Sequence, residues 1–118
     1  MPKYPSLLVR VTLNAETQLG PGKADLLQAI DETGSIAAAG RQLGMSYKRA
    51  WYLIDTMNRY FREPLVVSTK GGKAGGGAQL TATGRDVVRS FRRIEAATAK
   101  AAAKQLSVLM ALAAGKRT

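Results

Sequence analysis

Between positions 7 and 13 the side chains of Leu7, Val9, Val11 and Leu13 alternate with those of Leu8, Arg10 and Thr12. A period of two puts each set on its own face of an extended chain, so the pattern predicts a half-buried strand over 7–13. After "LGPG" the period changes. Leu26, Leu27 and Ile30 fall at helical spacing within 23–32, and Gly34 suits the left-handed position just past a helix end. Ser35 then reads as the N-cap of a second helix, with Ile36, Ala39, Gly40 and Leu43 at i, i+3, i+4 and i+7. That face is made mostly of small residues, which lets another helix approach closely before the chain turns at Gly44.

A third helix opens at Ser46, again an N-cap type. Placing its residues at 100° intervals gathers Ala50, Ile54, Met57 and Phe61 on one side. Lys48, Tyr52, Asp55 and Arg59 lie opposite, with Arg49 and Trp51 on the two flanks. The positive end of the helix macrodipole disfavours cations in the first turn by up to ~1 kcal/mol, so Lys48 and Arg49 stand where stability alone would place an acid. Beside an anionic partner that penalty disappears. Two short helices joined by a glycine turn, the second presenting a basic and aromatic start, describe a helix-turn-helix whose second helix enters the DNA major groove. Trp51 lies between the two faces, and its position fits packing under the following hairpin as well as stacking on the DNA backbone.

Pro64 closes the third helix, and strands over 65–68 and 78–80 flank the loop "TKGGKAGGG". Glycines such as Gly71, Gly72 and Gly75 let backbone N–H groups approach a phosphate, and Lys70 and Lys73 supply charge. The order of Lys and Gly does not match a nucleotide-binding P-loop, and the segment leads into a strand. After a helix-turn-helix such a hairpin is a wing. Thr81 caps a last helix, in which Phe91, Ile94, Thr98, Ala101, Gln105, Val108 and Leu112 recur every three or four residues. Thirty or so helical residues extend about 45 Å, more than so small a domain can cover, and predict packing on a second copy. The pattern as a whole predicts a mainly α fold with a small β component: a winged helix-turn-helix with a long C-terminal dimerisation helix. Residues 1–94 form the DNA-binding domain, with the wing at about 65–80. Residues 95–118 continue the last helix and end in a frayed basic tail.

Composition sharpens this picture. The 118 residues suffice for one ordinary domain, and 18 Lys and Arg against 8 Asp and Glu leave a net charge of +10. Nucleic acid is the first partner such a charge implies, an anionic membrane surface the second. The most apolar late run, "LSVLMALAAG", is about half the ~20 residues a membrane span needs. No signal-type apolar segment opens the chain, so a cytoplasmic location without membrane attachment is expected. Cysteine and histidine are both absent, which removes thiolate metal sites, disulfides and the commonest general base. Without a nucleophile motif either, the expectation is a protein that is not an enzyme and carries no cofactor or metal. Asp25, Asp31 and Glu32 read as surface acids. Arg85 and Arg89 stand within reach of phosphates beside the wing, although a solvated helix surface is the simpler reading.

The run "TGSIAAAGRQLGMSYKRAW", followed by "GGKAGGGAQLTATG", resembles the DNA-binding domain of the ModE family of molybdate-responsive bacterial transcription regulators. The helix-turn-helix and the "LT-x-x-G" segment are similar, more distantly, to LysR-type regulators. The specific parts are "SYK-x-AW" (Ser46, Tyr47, Lys48, Ala50, Trp51) and "GGGA-x-LT" (Gly75 to Ala78, Leu80, Thr81). The resemblance implies a homodimer on double-stranded operator DNA. In it Ser46, Tyr47, Lys48, Arg49, Trp51 and Tyr52 form the recognition surface, and Lys70, Gly71, Gly72, Lys73 and Gly75 bring the wing to the backbone. Members of that family continue into small β-barrel domains that bind molybdate or tungstate, whereas residues 95–118 read as an Ala-rich helix. The expectation is therefore a regulator lacking those sensing domains, any signal arriving through a separate effector-sensing protein. The competing reading is a winged-helix module that packs nucleoid DNA without sequence preference or recruits a protein.

Overall fold

A computed structural model of the chain describes residues 3–70 and 76–116. The first elements are a short antiparallel hairpin, β1 (Val11–Thr12) and β2 (Gln18–Leu19), with Val11 opposite Leu19. Its turn is built by Asn14, whose side-chain oxygen accepts from the amides of Glu16 (2.9 Å) and Thr17 (2.7 Å). The strand expected over 7–13 is thus reduced to two residues. Its alternation holds from Val9 onward, since Val9, Val11 and Leu13 pack against the core, whereas Leu7, expected on the same face, is exposed together with Leu8 because the chain before Val9 has no packing partner. A ladder, however, is only as long as its partner, and β2 has two residues before Gly20 and Pro21 start a helix.

That helix, α1 (Pro21–Thr33), begins two residues before the predicted start because Pro21 is pre-set for the first helical position. It buries Ala24, Leu26, Leu27, Ala29 and Ile30, and ends at Gly34, whose φ of 73° lets its amide reach the Ile30 carbonyl at 2.8 Å. Helix α2 (Ile36–Gln42) is capped by Ser35, and α3 (Tyr47–Tyr60) by Ser46, each hydroxyl accepting an amide hydrogen bond at 3.0 Å. Between them Gly44 takes a φ of 71°, and a Cβ on Gly40 would stand 3.1 Å from the Met45 carbonyl. The turn is tight because both positions lack side chains. Ala50, Ile54 and Met57 are buried as the helical period requires.

A second hairpin, β3 (Val66–Lys70) and β4 (Gly76–Leu80), pairs Val66 with Leu80 and Lys70 with Gly76. Its strands run further toward the glycine loop than the hydrophobic pattern indicated. Asn58 of α3 holds its base: the Asn58 Oδ1 accepts from the amides of Leu65 (2.8 Å) and Val66 (3.3 Å), and Nδ2 donates to the Val66 carbonyl (3.1 Å). The Ala78 amide donates to the Gly34 carbonyl at 3.0 Å, joining the hairpin to the α1–α2 corner. Gly77 permits this approach, since a Cβ there would lie 2.7 Å from Thr69 Oγ1 and 2.9 Å from the Gly34 carbonyl. Thr81 caps the 30-residue α4 (Ala82–Ala111), accepting from Gly84 N and donating to the Pro64 carbonyl. A short 3-10 turn, Ala114–Lys116, follows.

Helix α4 docks on the domain through Phe91 and through Arg92, which donates to Asp25 (2.6 Å) and Gln28 (3.0 Å) of α1 and to Glu95 (3.0 Å). Burial alone would lower the Arg92 pKa, but its hydrogen bonds to Asp25 and Glu95 and their charges outweigh it and raise the value. Asp25, expected to be a plain surface acid, is thus half of the α1–α4 joint. Beyond Ile94 the helix leaves the body of the domain, and the molecule measures 62 × 29 × 22 Å.

Candidate nucleic-acid interface

The first two turns of α3 place Ser46, Tyr47, Lys48, Arg49, Trp51 and Tyr52 on the surface, all exposed, with Tyr47 at 57%, Trp51 at 50% and Tyr52 at 52%. Three half-exposed aromatics at one helix end are unusual without a partner to cover them. Among the described residues neither Lys48 nor Arg49 forms an ion pair; further along the same face Asp55 and Arg59 neutralise each other at 3.1 Å. The free positive charge is thereby confined to the amino end of the helix. The Arg49 guanidinium sits 6.0 Å from the Tyr52 ring centre, close enough for a weak cation–π attraction. Ser46 uses an oxygen lone pair for its cap and keeps its hydroxyl hydrogen available to an acceptor such as a phosphate.

Trp51 is half covered by the fold, and its contact with DNA is left to experiment. Half of its surface is covered in a cleft shared with Ser35, Ile36, Ala37, Tyr47, Ser68 and Gly77, between the start of α2 and the second hairpin, and half is free. The second hairpin is described as far as the Lys70–Gly76 pair, and Ala78 ties it to the α1–α2 corner. The expectations for Gly71, Gly72, Lys73 and Gly75 fall on residues outside those described, as does the side chain of Lys70. Arg85 turns back to donate to the Leu80 carbonyl at 3.2 Å, and Arg89 pairs with Asp86 at 2.9 Å. Both are therefore engaged within the domain.

Two cations that sequence reasoning passed over stand near this face. Lys23, in the first turn of α1, donates to the Gln18 carbonyl at 2.6 Å, and Arg10 donates to the Gln18 side chain at 3.3 Å. Burial lowers the Lys23 pKa, and the charge of Arg49 lowers it further. For Lys23 the available signal was the one used for Lys48, a cation in a helix first turn where an acid would be more stable; Arg10, before β1, carried none. Among the described residues no group of His, Cys, Asp and Glu could hold a metal, and no helix is long and apolar enough to cross a membrane.

Two helices at a glycine corner, a hairpin beside them and an exposed basic-aromatic start to the second helix define a winged helix-turn-helix domain of the DNA-binding class. The chain belongs to the bacterial regulatory helix-turn-helix protein family of LysR type, whose family model matches residues 23–85. It is homologous to ModE regulators: it is 46% identical over 90 residues to the molybdenum transport protein ModE of Azotobacter vinelandii, covering 75% of this chain and 33% of that protein. Molybdenum-pterin-binding protein MopB of Rhodobacter capsulatus is 46% identical over 83 residues, 70% of this chain and 31% of that protein. The DNA-binding transcriptional dual regulator ModE of Escherichia coli K12 is 35% identical over 85 residues, 72% of this chain and 32% of its own length. The chain thus spans about a third of the length of the curated relatives it matches. Its fold is shared with the protein chain of a CbnR_DBD–DNA complex crystal structure, at a TM-score of 0.57 and 19% identity over 75% of this chain and 95% of that one. Kinship with transcriptional regulators agrees with the expectation that the chain is not an enzyme.

Proposed function

We propose that the protein is a sequence-specific transcriptional regulator that binds operator DNA as a homodimer. The observation that carries this reading is the amino end of α3, where Lys48 and Arg49 form no ion pair among the described residues and stand beside exposed Tyr47, Trp51 and Tyr52. On this reading Lys48, Arg49 and Tyr52 read base edges, since a Lys or Arg donating to guanine is the commonest specific contact in the major groove. Ser46, Lys70, Lys73 and the backbone of Gly71, Gly72 and Gly75 hold phosphates and set the register. Residues 1–94 act as the DNA-binding unit and residues 95–118 as the continuation of the dimerisation helix. Support for the dimer is the course of α4 away from its own domain, with Val108, Leu109, Met110 and Leu112 exposed. Val11, Leu13, Leu19, Phe61 and Ile94 also line an apolar cleft beside the root of α4. Two-fold pairing would present two copies of α3 to successive major grooves, with half-sites about one helical turn, or a multiple of it, apart.

The relatives named for molybdenum transport or pterin binding are several times longer than the matched region, so no such ligand follows from the likeness. Any signal would reach this domain through a separate effector-sensing partner. The test is selection of duplexes from a random pool by the full chain, followed by affinities for selected and unselected DNA across salt concentrations. Counterion release weakens both, and a specificity ratio in the thousands that survives higher salt supports the operator-binding reading. Equal affinities would favour nonspecific packing of DNA instead.

A further inference from the structure

Helix α3 is bordered by a cleft on each flank. The Trp51 flank meets the start of α2 and the second hairpin. The Arg49 flank meets a larger opening, about 580 Å³, walled by Arg10 before β1, Lys23 at the start of α1, and Arg49, Tyr52 and Thr56 of α3. Three cations line it against one carboxylate among the described lining residues, Glu16 in the β1–β2 turn. None of the three cations forms an ion pair among the described residues. Arg10 and Lys23 are instead tethered to the same residue, Gln18, which holds two like charges together. Burial, and after it the charge of Arg49, lowers the Lys23 pKa.

Like charges gathered in excess of their counter-charge cost folding stability, so the arrangement makes physical sense beside an anion that arrives on binding. A recognition helix in the major groove, about 12 Å wide, lies between two rows of phosphates. The start of α2 and the described strands of the second hairpin border α3 on its Trp51 flank, toward one row. We infer that the Arg10–Lys23–Arg49 cleft seats the other row, clamping backbone phosphates on the side of the major groove away from the wing. The inference rests on the reading of α3 as the recognition helix, and it assigns Arg49 to phosphate instead of base edges. The cleft is open to solvent and shares a rim with the face that carries Lys48. That shape suits a strand passing across it better than a small anion, which needs an enclosed pocket.

The test uses the full chain with a duplex it selects and with unselected DNA. Lys23→Gln and Arg10→Gln should each flatten the dependence of log affinity on log salt by about one unit and leave the preference for the selected duplex intact. Lys48→Ala, assayed alongside, should reduce that preference. Because Lys23→Gln also removes a hydrogen bond to Gln18, the folded state is checked by thermal melting, and a second readout avoids the variant. Single methylphosphonates, which are uncharged, are walked along the strand beyond the wing. Those that weaken binding of the native chain should have little further effect on Lys23→Gln. Unchanged salt slopes with Lys48→Ala still relaxing specificity would overturn the clamp and leave the recognition helix standing. If the native chain shows no preference among duplexes, the recognition reading fails and the slopes on unselected DNA still decide the clamp. Saturable binding of free inorganic phosphate at constant ionic strength, lost in Lys23→Gln without any change in DNA slope, would mean a small-anion site and would also overturn it.

Discussion

Lys48, Arg49 and Lys23 share one anomaly, a cation in a helix first turn, yet their surroundings separate their roles. Lys48 stands on the outward face of α3 without an ion pair among the described residues, so Lys48→Ala should cost ~1–3 kcal/mol on selected DNA and much less on unselected DNA. Competition binding with both duplexes reads this directly; an equal loss on both would reduce Lys48 to a phosphate contact. Lys23 is faced by Arg10 and Glu16 from the hairpin region and by Arg49 and Tyr52 from α3. In the free protein its pKa lies below that of an unfolded lysine, so the folded state releases this proton first. The sign follows: the penalty on folding is complete below the lowered value and fades as pH rises through it toward the ordinary lysine range. A phosphate in the cleft would restore the proton. DNA binding should therefore take up protons in that window, and affinity should fall with pH earlier than in Lys23→Arg, with Tyr52→Phe run in both backgrounds to separate the phenol.

At the scale of elements, a single polar side chain decides where the second hairpin sits. Asn58 serves two amides and one carbonyl of Leu65 and Val66 at once, and no hydrophobic pattern marks it out. Asn58→Ala leaves these partly buried backbone groups without partners and should destabilise the fold by about 1–3 kcal/mol in denaturant titrations. It should also weaken DNA binding through misplacement of the wing, with no change in recognition-helix charge. The helices were legible because their signals are local and repeated: caps at Ser35, Ser46 and Thr81, left-handed glycines at Gly34 and Gly44, and a 3.6 period between them. β2 was not, since two residues carry no period and exist as a strand only through Val11 and Thr12 across from them.

Across the whole molecule, length and exposure diverge at α4. Phe91 is 1% exposed, whereas Leu109 is 63% and Leu112 75% exposed. Sedimentation of the full chain should report a dimer at micromolar concentration, and Val108→Asp combined with Leu112→Asp should shift it toward monomer. The same variant should lose affinity for paired half-sites more than for a single half-site, because it removes the linkage and not the recognition surface. A native chain that sediments as monomer would refute the dimer. Molybdate offers a contrast with DNA. The clefts of the described residues are open, and a selective oxyanion site needs convergent donors in an enclosure. Calorimetry should show no saturable molybdate uptake by this chain; one equivalent per subunit at micromolar affinity would force a search at the interface between copies.

The residues themselves determined the helix-turn-helix, the capped start of α4 and the basic-aromatic end of α3, since each depends on neighbours within about one or two helical turns along the chain. Tertiary structure decided which charges remain free. Arg92 and Asp25 stand 67 positions apart and form a joint that no local pattern announces, whereas Arg89 is claimed locally by Asp86, three positions away. Lys23, Arg10 and Arg49 come from three separate segments, and only the packing of α1 and the first hairpin against α3 turns them into one cationic cleft. Charge acts through space, falling with distance and not with sequence separation, so its balance at a site is settled by folding even when its total can be counted in the chain.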